Sequence, residues 1–387
     1  MNPLSLYVHI PFCIHKCGYC DFNSYALETL QEKGHVGENW ASAYADAAIC
    51  EIESRARRLG LAGSRVETVF FGGGTPSLFP AAETTRILAA VRETFDLRPE
   101  AEITLEANPG AADTGRFAAL REAGVNRISI GVQSFDDECL RRLDRIHTGE
   151  EAREAFRSAR RAGFGNISID LMFGTPFQTL DRAAADLESA LELGPEHLSA
   201  YELTIEEGTN FGALHSRGEL NGLPDEDTAL AMWEMRDRML SAAGYERYEI
   251  SNFARPGYRC RHNMNYWKRG DYLGVGAGAH SLIGGRRIWN HARPDHYAEK
   301  AGDPTAGEED VRNEKKAIGE SLMLGLRLKE GLSLDDVAGS CGADPEEEYG
   351  SVFSDLIGNG LIERENRTLR LTPRGTMLAN QVLARFM

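Results

Sequence analysis

Short apolar, β-branched runs recur through the first half of the chain: LSLYVHI from Leu4, VETVFF from Val66, EITLEA from Glu102, RISIGV from Arg127, ISIDLMF from Ile167 and HLSAYEL from His197. Their length and composition predict six strands. Between them lie stretches of helical character, WASAYADAAICEIESRARRLG, AAETTRILAAVRETF, TGRFAALREAG, EEAREAFRSARRAG and DRAAADLESALELG, most ending at a glycine that suits a C-cap. Strand and helix in alternation predict parallel pairing, and right-handed crossovers then close the strands into a full or partial β/α barrel. The fold class is thus α/β, with functional groups expected at the strand C-terminal ends and in the loops that follow them.

Beyond about residue 310 the alternation stops. RNEKKAIGESLMLGLRLKEG, LSLDDVAGSCG and EEEYGSVFSDLIGNG read as three helices, and LIERENRTLRLTPRG reads as a hairpin. Three helices and a hairpin form a winged-helix-like pattern, which raises DNA binding. The third helix is acidic, however, with Glu346, Glu347, Glu348 and Asp355, and only the wing is basic. A lid or docking module for the barrel suits that charge better. The division is then a barrel over 1–210, a connecting region over 211–305 and the C-terminal module over 306–387.

Composition narrows the setting. The 387 residues carry 43 Lys and Arg against 59 Asp and Glu, a formal net charge of -16, which argues against a general nucleic-acid or anionic-membrane surface. The seven cysteines are odd in number and unlike a secreted disulfide framework. That usage predicts a reducing cytoplasm. The N-terminal MNPLSLYVHIPF has no basic leader pattern, and no run of about 18 apolar residues predicts a spanning helix. A soluble protein is expected, with peripheral membrane contact left open.

Three of the cysteines, Cys13, Cys17 and Cys20, fall in CIHKCGYC, in the loop directly after the first strand. Structural zinc recruits four ligands, and no second CxxC pair exists elsewhere. A cubic iron-sulfur cluster has four irons, so three thiolates leave one iron open. FFGGGTPS follows the second strand, where successive glycines let backbone N–H groups approach a ligand. Glu106 ends the third strand, Gln133 the fourth, and Asp170 lies within the fifth.

These features resemble the radical S-adenosylmethionine superfamily, for which CxxxCxxC in the first βα loop is the defining motif. The resemblance implies a [4Fe-4S] cluster on Cys13, Cys17 and Cys20, with adenosylmethionine chelating the open iron. YVHIPFC, GGGTPS, GVQSF, LDRIH and IDLMFGTP narrow it to the coproporphyrinogen oxidase-like branch, which holds the oxygen-independent coproporphyrinogen III oxidase and the heme chaperones. By motif, Tyr7, Tyr19, Gly73, Gly74, Thr75, Glu106, Gln133, Arg145, Asp170, Thr204 and His280 stand where that family contacts adenosylmethionine. The match is looser at Tyr19, Thr204 and His280, where the oxidase pattern has Phe, Ala and an aliphatic residue.

Two departures and one addition separate the members of the branch. The oxidase resemblance requires a cysteine where Phe22 stands, and a longer segment ahead of the first strand. The addition is RCRHNMNYW, Arg259 to Trp267, which is similar to the HNxxYW motif of the heme chaperones. It gathers His262 as a candidate heme ligand, Tyr266 and Trp267 to cover a porphyrin face, and two arginines able to pair with propionates. Cys260 is an alternative thiolate ligand. His9 reads as a supporting residue beside the cluster loop. The resemblance therefore implies heme as cargo and heme-accepting apoproteins as partners, with radical decarboxylation of propionates as the enzymatic alternative and an iron-sensing DNA-binding regulator as a third.

Overall fold

The computed structural model describes residues 3–110 and 113–387. The six anticipated strands are β1 (Leu4–Ile10), β2 (Arg65–Gly73), β3 (Asp96–Ala107), β4 (Arg127–Gln133), β5 (Ile167–Phe173) and β6 (His197–Glu202). Each pairs parallel to the next. The connecting helices Trp40–Arg58, Ala81–Thr94, Thr114–Ala123, Gly149–Arg161 and Leu180–Leu193 follow β1 to β5 in turn. Their ends are set locally. Thr148 and Glu151 form a reciprocal capping box at the start of Gly149–Arg161, and Gly124 and Gly194 close two of the helices in the left-handed conformation.

The period of two along these strands divides the barrel wall into an apolar outer face and a polar lumen. Ile128, Ile130 and Val132 of β4, Ile167 and Ile169 of β5, and Leu198 of β6 join the main core beneath the helices. Their alternates, Arg127, Ser129, Gly131 and Gln133, then Ser168 and Asp170, then His197, Ser199 and Tyr201, face a common cavity. Parallel strands covered on both sides are ordinarily apolar throughout. Here the inner face is chemical equipment.

The region over 211–305 is built into the same sheet. Short strands β7 (Glu246–Arg247) and β8 (Asn252–Ala254) lie antiparallel beyond β6, while β9 (Tyr272–Val275) pairs parallel with β1 at the opposite edge. The antiparallel β10 (His280–Ile283), β11 (Arg286–Asn290) and β12 (Thr305–Asp310) continue from β9. One 12-stranded sheet results, in the order β12-β11-β10-β9-β1-β2-β3-β4-β5-β6-β8-β7. It is linear in order, so the barrel is partial. Between β8 and β9 the chain must cross from one edge to the other, and helix Arg261–Trp267 lies on that crossing, against the N-terminal half of β2.

A buried ion pair fastens the added edge. On helix Trp40–Arg58, Arg55 Nε lies 3.0 Å from Glu51 Oε1, both side chains fully buried. Glu51 accepts from Gly276 N at 2.9 Å, Asn290 Nδ2 at 2.8 Å and the Tyr297 hydroxyl at 2.7 Å. Arg55 donates to Ser281, Asn290 and Thr305 on β10, β11 and β12.

The C-terminal module has helices Glu314–Gly325, Leu334–Cys341 and Pro345–Gly358, followed by the expected hairpin. Strands β13 (Leu332–Ser333), β14 (Ile362–Glu365) and β15 (Thr368–Leu371) form a small sheet in the order β13-β15-β14. Its core includes Leu322, Leu334, Phe353, Ile362, Leu369 and Phe386, together with Ile250 from the barrel. The hairpin cations turn inward on the module's own acids: Arg367 meets Asp344 at 3.1 Å and Glu346 at 2.8 Å, and Arg364 also pairs with Glu346. Two short helices, Pro373–Met377 and Ala379–Leu383, were not anticipated. Among the described residues no helix is long and apolar enough to cross a membrane.

Candidate functional site

One cavity of about 680 Å³ opens at the C-terminal ends of the barrel strands and runs down the lumen. Cys13, Cys17 and Cys20 all face it, with Tyr7, Tyr19, Gly73, Gly74, Thr75, Glu106, Gln133, Arg145, Asp170 and Thr204. His262, Tyr266 and Trp267 line its deeper part, near the N-terminal halves of the strands. His280 departs from the motif-based expectation. It is exposed on β10, outside the cavity, with its ring stacked on Trp289 at 6.1 Å.

The three thiols are free. Among the described residues no three His, Cys, Asp or Glu side chains are grouped tightly enough for a single metal ion; the trio faces the cavity from one loop. Burial pushes the Cys13 thiol up, opposed by a Thr75 hydrogen bond. It also raises Cys17, against the pull of Arg145, whose guanidinium lies 3.6 Å from the Cys17 sulfur. Arg145 is held by Asn108 Oδ1 at 2.9 Å and the Gly131 carbonyl at 2.7 Å, yet its Nε is buried without a hydrogen-bond partner. Soft thiolate donors, a buried cation and an orphaned N–H suit an iron-sulfur cluster with an anionic ligand beside it.

The glycine tract fits this site through steric room. Gly73 has φ +117°, and a Cβ there would stand 2.5 Å from the His9 ring. At Gly74 a Cβ would come within 2.9 Å of the Cys13 sulfur and 2.7 Å of the Phe12 carbonyl oxygen. Side chains are therefore excluded where the cluster loop meets β2. His9 keeps the supporting place expected for it: Nε2 donates to the Asn23 carbonyl at 2.8 Å, which leaves Nδ1 to accept from the Tyr7 hydroxyl at 2.9 Å.

Glu106 accepts from Gly73 N at 3.1 Å. Burial, then the nearby Asp170 charge, push its carboxyl up to about 8. Burial also lifts Asp170 to about 6, against the Ser129 hydroxyl and the Arg127 guanidinium. A carboxyl whose folded pKa is raised stabilises the fold below its unfolded value of about 4.3. That contribution is lost as pH climbs through about 8. In the chain free of adenosylmethionine, Glu106→Gln should gain melting temperature over the unsubstituted protein as pH rises from about 5 to about 8. A difference that stays constant over that range contradicts the assignment.

The Arg261–Trp267 helix is positioned from the barrel floor. Glu102 of β3 accepts from Arg261 N and His262 N, each at 3.1 Å, and so supplies the cap that Cys260 lacks. The Cys260 thiol is fully buried, donates to Glu102 at 3.5 Å and is pushed up to about 12 by burial and the Glu102 charge. It does not line the cavity. His262 is 1 % exposed, and burial holds its pKa down at about 3, so the ring is neutral. Thr68 donates to Ser5 at 2.8 Å and therefore accepts from His262 Nδ1 at 2.8 Å. The Nε2 lone pair is left to the Tyr266 hydroxyl at 3.0 Å.

Other lining residues escaped the motif reading: Phe70, Asn108, Arg127, Ser129, Ser168, His197, Tyr201 and Asn252. Most alternate along RISIGVQ, ISIDLMF and HLSAYE with residues of the outer face. The polar member of each i, i+2 series was the available signal.

Residues 7–190 match the radical SAM superfamily, and residues 313–378 match the HemN C-terminal domain. Heme chaperone HemW of Mycobacterium tuberculosis is 39 % identical over 385 residues, covering 99 % of this chain and 94 % of that protein. HemW of Bacillus subtilis is 37 % identical, covering 99 % of each. HemW of Escherichia coli reaches 47 % over 73 % of this chain and 71 % of its own length. Among solved structures, the coproporphyrinogen III oxidase HemN of Escherichia coli, described as a radical SAM enzyme, superposes with a TM-score of 0.82 at 25 % identity, over 99 % of this chain and 90 % of that one. With relatives 37 % and 39 % identical over 99 % of its length, and a radical SAM match over residues 7–190, the chain belongs to the HemW family of the radical SAM superfamily.

Proposed function

We propose that the protein is a heme chaperone that holds a [4Fe-4S] cluster and adenosylmethionine in its barrel, binds heme through the Arg261–Trp267 helix and passes it to heme-accepting apoproteins. The observation that carries the heme assignment is the state of His262. Its Nδ1–H is committed to Thr68 and its Nε2 presents a lone pair, the arrangement in which imidazole ligates iron. Tyr266 must release Nε2 first, at a net cost of about 1 kcal/mol for one hydrogen bond. Trp267 offers an aromatic face beside it, with an indole N–H that is buried and unpaired.

Cys13, Cys17 and Cys20 would hold the cluster, with Tyr7, Tyr19, Gly73, Gly74, Thr75, Glu106, Gln133, Arg145, Asp170 and Thr204 around adenosylmethionine. When bound, the pair supplies one-electron reduction of a sulfonium. The chain's own contribution is placement and exclusion of water: Glu106 orients the Gly73 N–H, Tyr201 donates to Gln133 at 2.7 Å, and Ser129 donates to Asp170 at 3.1 Å.

Anaerobically reconstituted protein should bind hemin with a shifted Soret band, and His262→Ala should weaken binding at least tenfold. An unchanged titration in that variant removes His262 as ligand. The whole-chain likeness to HemN keeps the decarboxylase reading in view. Against it, Phe22 occupies the position of the oxidase's extra cysteine and is 59 % exposed, without a thiol to offer. Conversion of coproporphyrinogen III to protoporphyrinogen IX by the same preparation would overturn the chaperone reading.

A further inference from the structure

A second cavity, of about 290 Å³, lies where the barrel edge meets the C-terminal module. Arg247 and Glu249 come from the barrel side, and Arg327, Lys329, Glu363 and Arg370 from the module. Arg370 is occupied by Glu363 at 2.6 Å and by Glu365 at 3.3 Å. The remaining charges are poorly matched. Arg247 is 3.7 Å from Asp237, Arg327 is 3.7 Å from Glu249, and the Lys329 ammonium has no partner among the described residues.

Two buried polar atoms here have no hydrogen-bond partner. Glu249 is 1 % exposed; its Oε1 accepts from Ser251 N at 2.9 Å and Asn252 Nδ2 at 2.6 Å, but its Oε2 accepts no hydrogen bond. Arg327 Nε is buried and unpaired, its guanidinium lying 4.5 Å from the Trp267 ring. Buried polar groups in folded proteins are nearly always satisfied, and here Arg327 Nε has no acceptor while Glu249 Oε2 has only the loose 3.7 Å ion pair to the same arginine, so the cavity suits a group that offers both a donor and an acceptor. Among the charged lining residues four cations, Arg247, Arg327, Lys329 and Arg370, face two carboxylates, Glu249 and Glu363, a lining that favours an anionic group.

We propose that this junction cavity binds phosphate in a protonated form, with Arg327, Lys329 and Arg247 meeting its oxygens and Glu249 accepting its P–OH. Sulfate, which carries no proton near neutral pH, would set its lone pairs against those of Glu249. The carboxylate is therefore a selectivity element. An occupant here would join the barrel to the module, and Glu249 links it to the main cavity through Asn252, which lines that cavity. The proposal does not rest on the heme reading, although Arg327 lies against Trp267 of the Arg261–Trp267 helix.

The test uses the full chain at about pH 7 and matched ionic strength, with thermal unfolding and equilibrium dialysis against inorganic phosphate, sulfate and glycerol phosphate. A saturable rise in melting temperature with phosphate and none with sulfate is expected. Lys329→Ala, a surface change that spares the fold, should weaken phosphate binding severalfold, and Arg327→Met should abolish it. Glu249→Gln, which replaces a lone pair by an N–H, should shrink the preference for phosphate over sulfate at least tenfold. Equal responses to the two anions, or phosphate binding that survives both cation substitutions, would overturn the proposal. Glycerol phosphate binding as well as phosphate would assign the site to phosphomonoesters, and its failure to bind would assign it to the free ion.

Discussion

Alanine at Cys13, Cys17 or Cys20 should abolish the visible iron-sulfur absorption of anaerobically reconstituted protein and leave its far-ultraviolet circular dichroism unchanged. Three thiolates are the minimum that leaves one iron of a cubane open. With two, a second iron lacks a protein ligand and the cluster is lost. Among the described residues no other thiol lines the cavity. Cys139 is buried against Thr175 at 2.9 Å, Cys260 is turned to Glu102, and neither lines the cavity. The Ser24 hydroxyl, 3.8 Å from the Cys20 sulfur, is a poor iron ligand in place of a thiolate. The fold survives because Cys17 and Cys20 sit in a loop and Cys13 ends a two-residue strand, Phe12–Cys13, that is separate from the 12-stranded sheet carrying the core. Cys50→Ala, at an exposed helical position, is the control. Full absorption in any of the three variants would sink the cluster assignment.

The largest loss of stability should follow Arg55→Met, about 3–5 kcal/mol by chemical denaturation, since removing one member of a buried pair leaves the other charge uncompensated. Glu51 would then keep three neutral donors, from Gly276, Asn290 and Tyr297, and no cation. Burial already pushes its carboxyl up despite Arg55. In that variant its protonation becomes the cheaper state, so the deficit should narrow as pH falls. The double substitution Glu51→Gln with Arg55→Met should cost less than the single one. A single-variant loss below about 1 kcal/mol, the range of an exposed pair, would show that the network is not the fastening of β10 to β12.

Much of this architecture was written plainly in the sequence, because its signals are local. The six apolar runs, the C-terminal pattern of three helices and a hairpin, and the cysteine loop each depend on a few neighbouring residues. The flanking sheet was illegible for the opposite reason. β7 and β8 are two and three residues long, below any useful period, and β9 finds β1 only after the chain has crossed the barrel. His280 was assigned to the cofactor by motif, yet its place on the antiparallel extension turns it toward Trp289. The last helices were hidden by Pro373. It was read as the end of the hairpin, but Thr372 caps a helix that begins at that proline.

The Glu102 cap has a consequence for what can be moved between proteins. The two N–H groups that start the Arg261–Trp267 helix are answered by a strand more than 150 residues earlier, and the tautomer of His262 is set by Thr68 on another strand. The hexapeptide HNMNYW is thus a sequence whose conformation and proton arrangement are stored elsewhere in the chain. Grafted onto another scaffold or made as a free peptide, it would carry the letters of the heme motif without its geometry, whereas transplanting it with β2 and β3 would carry both.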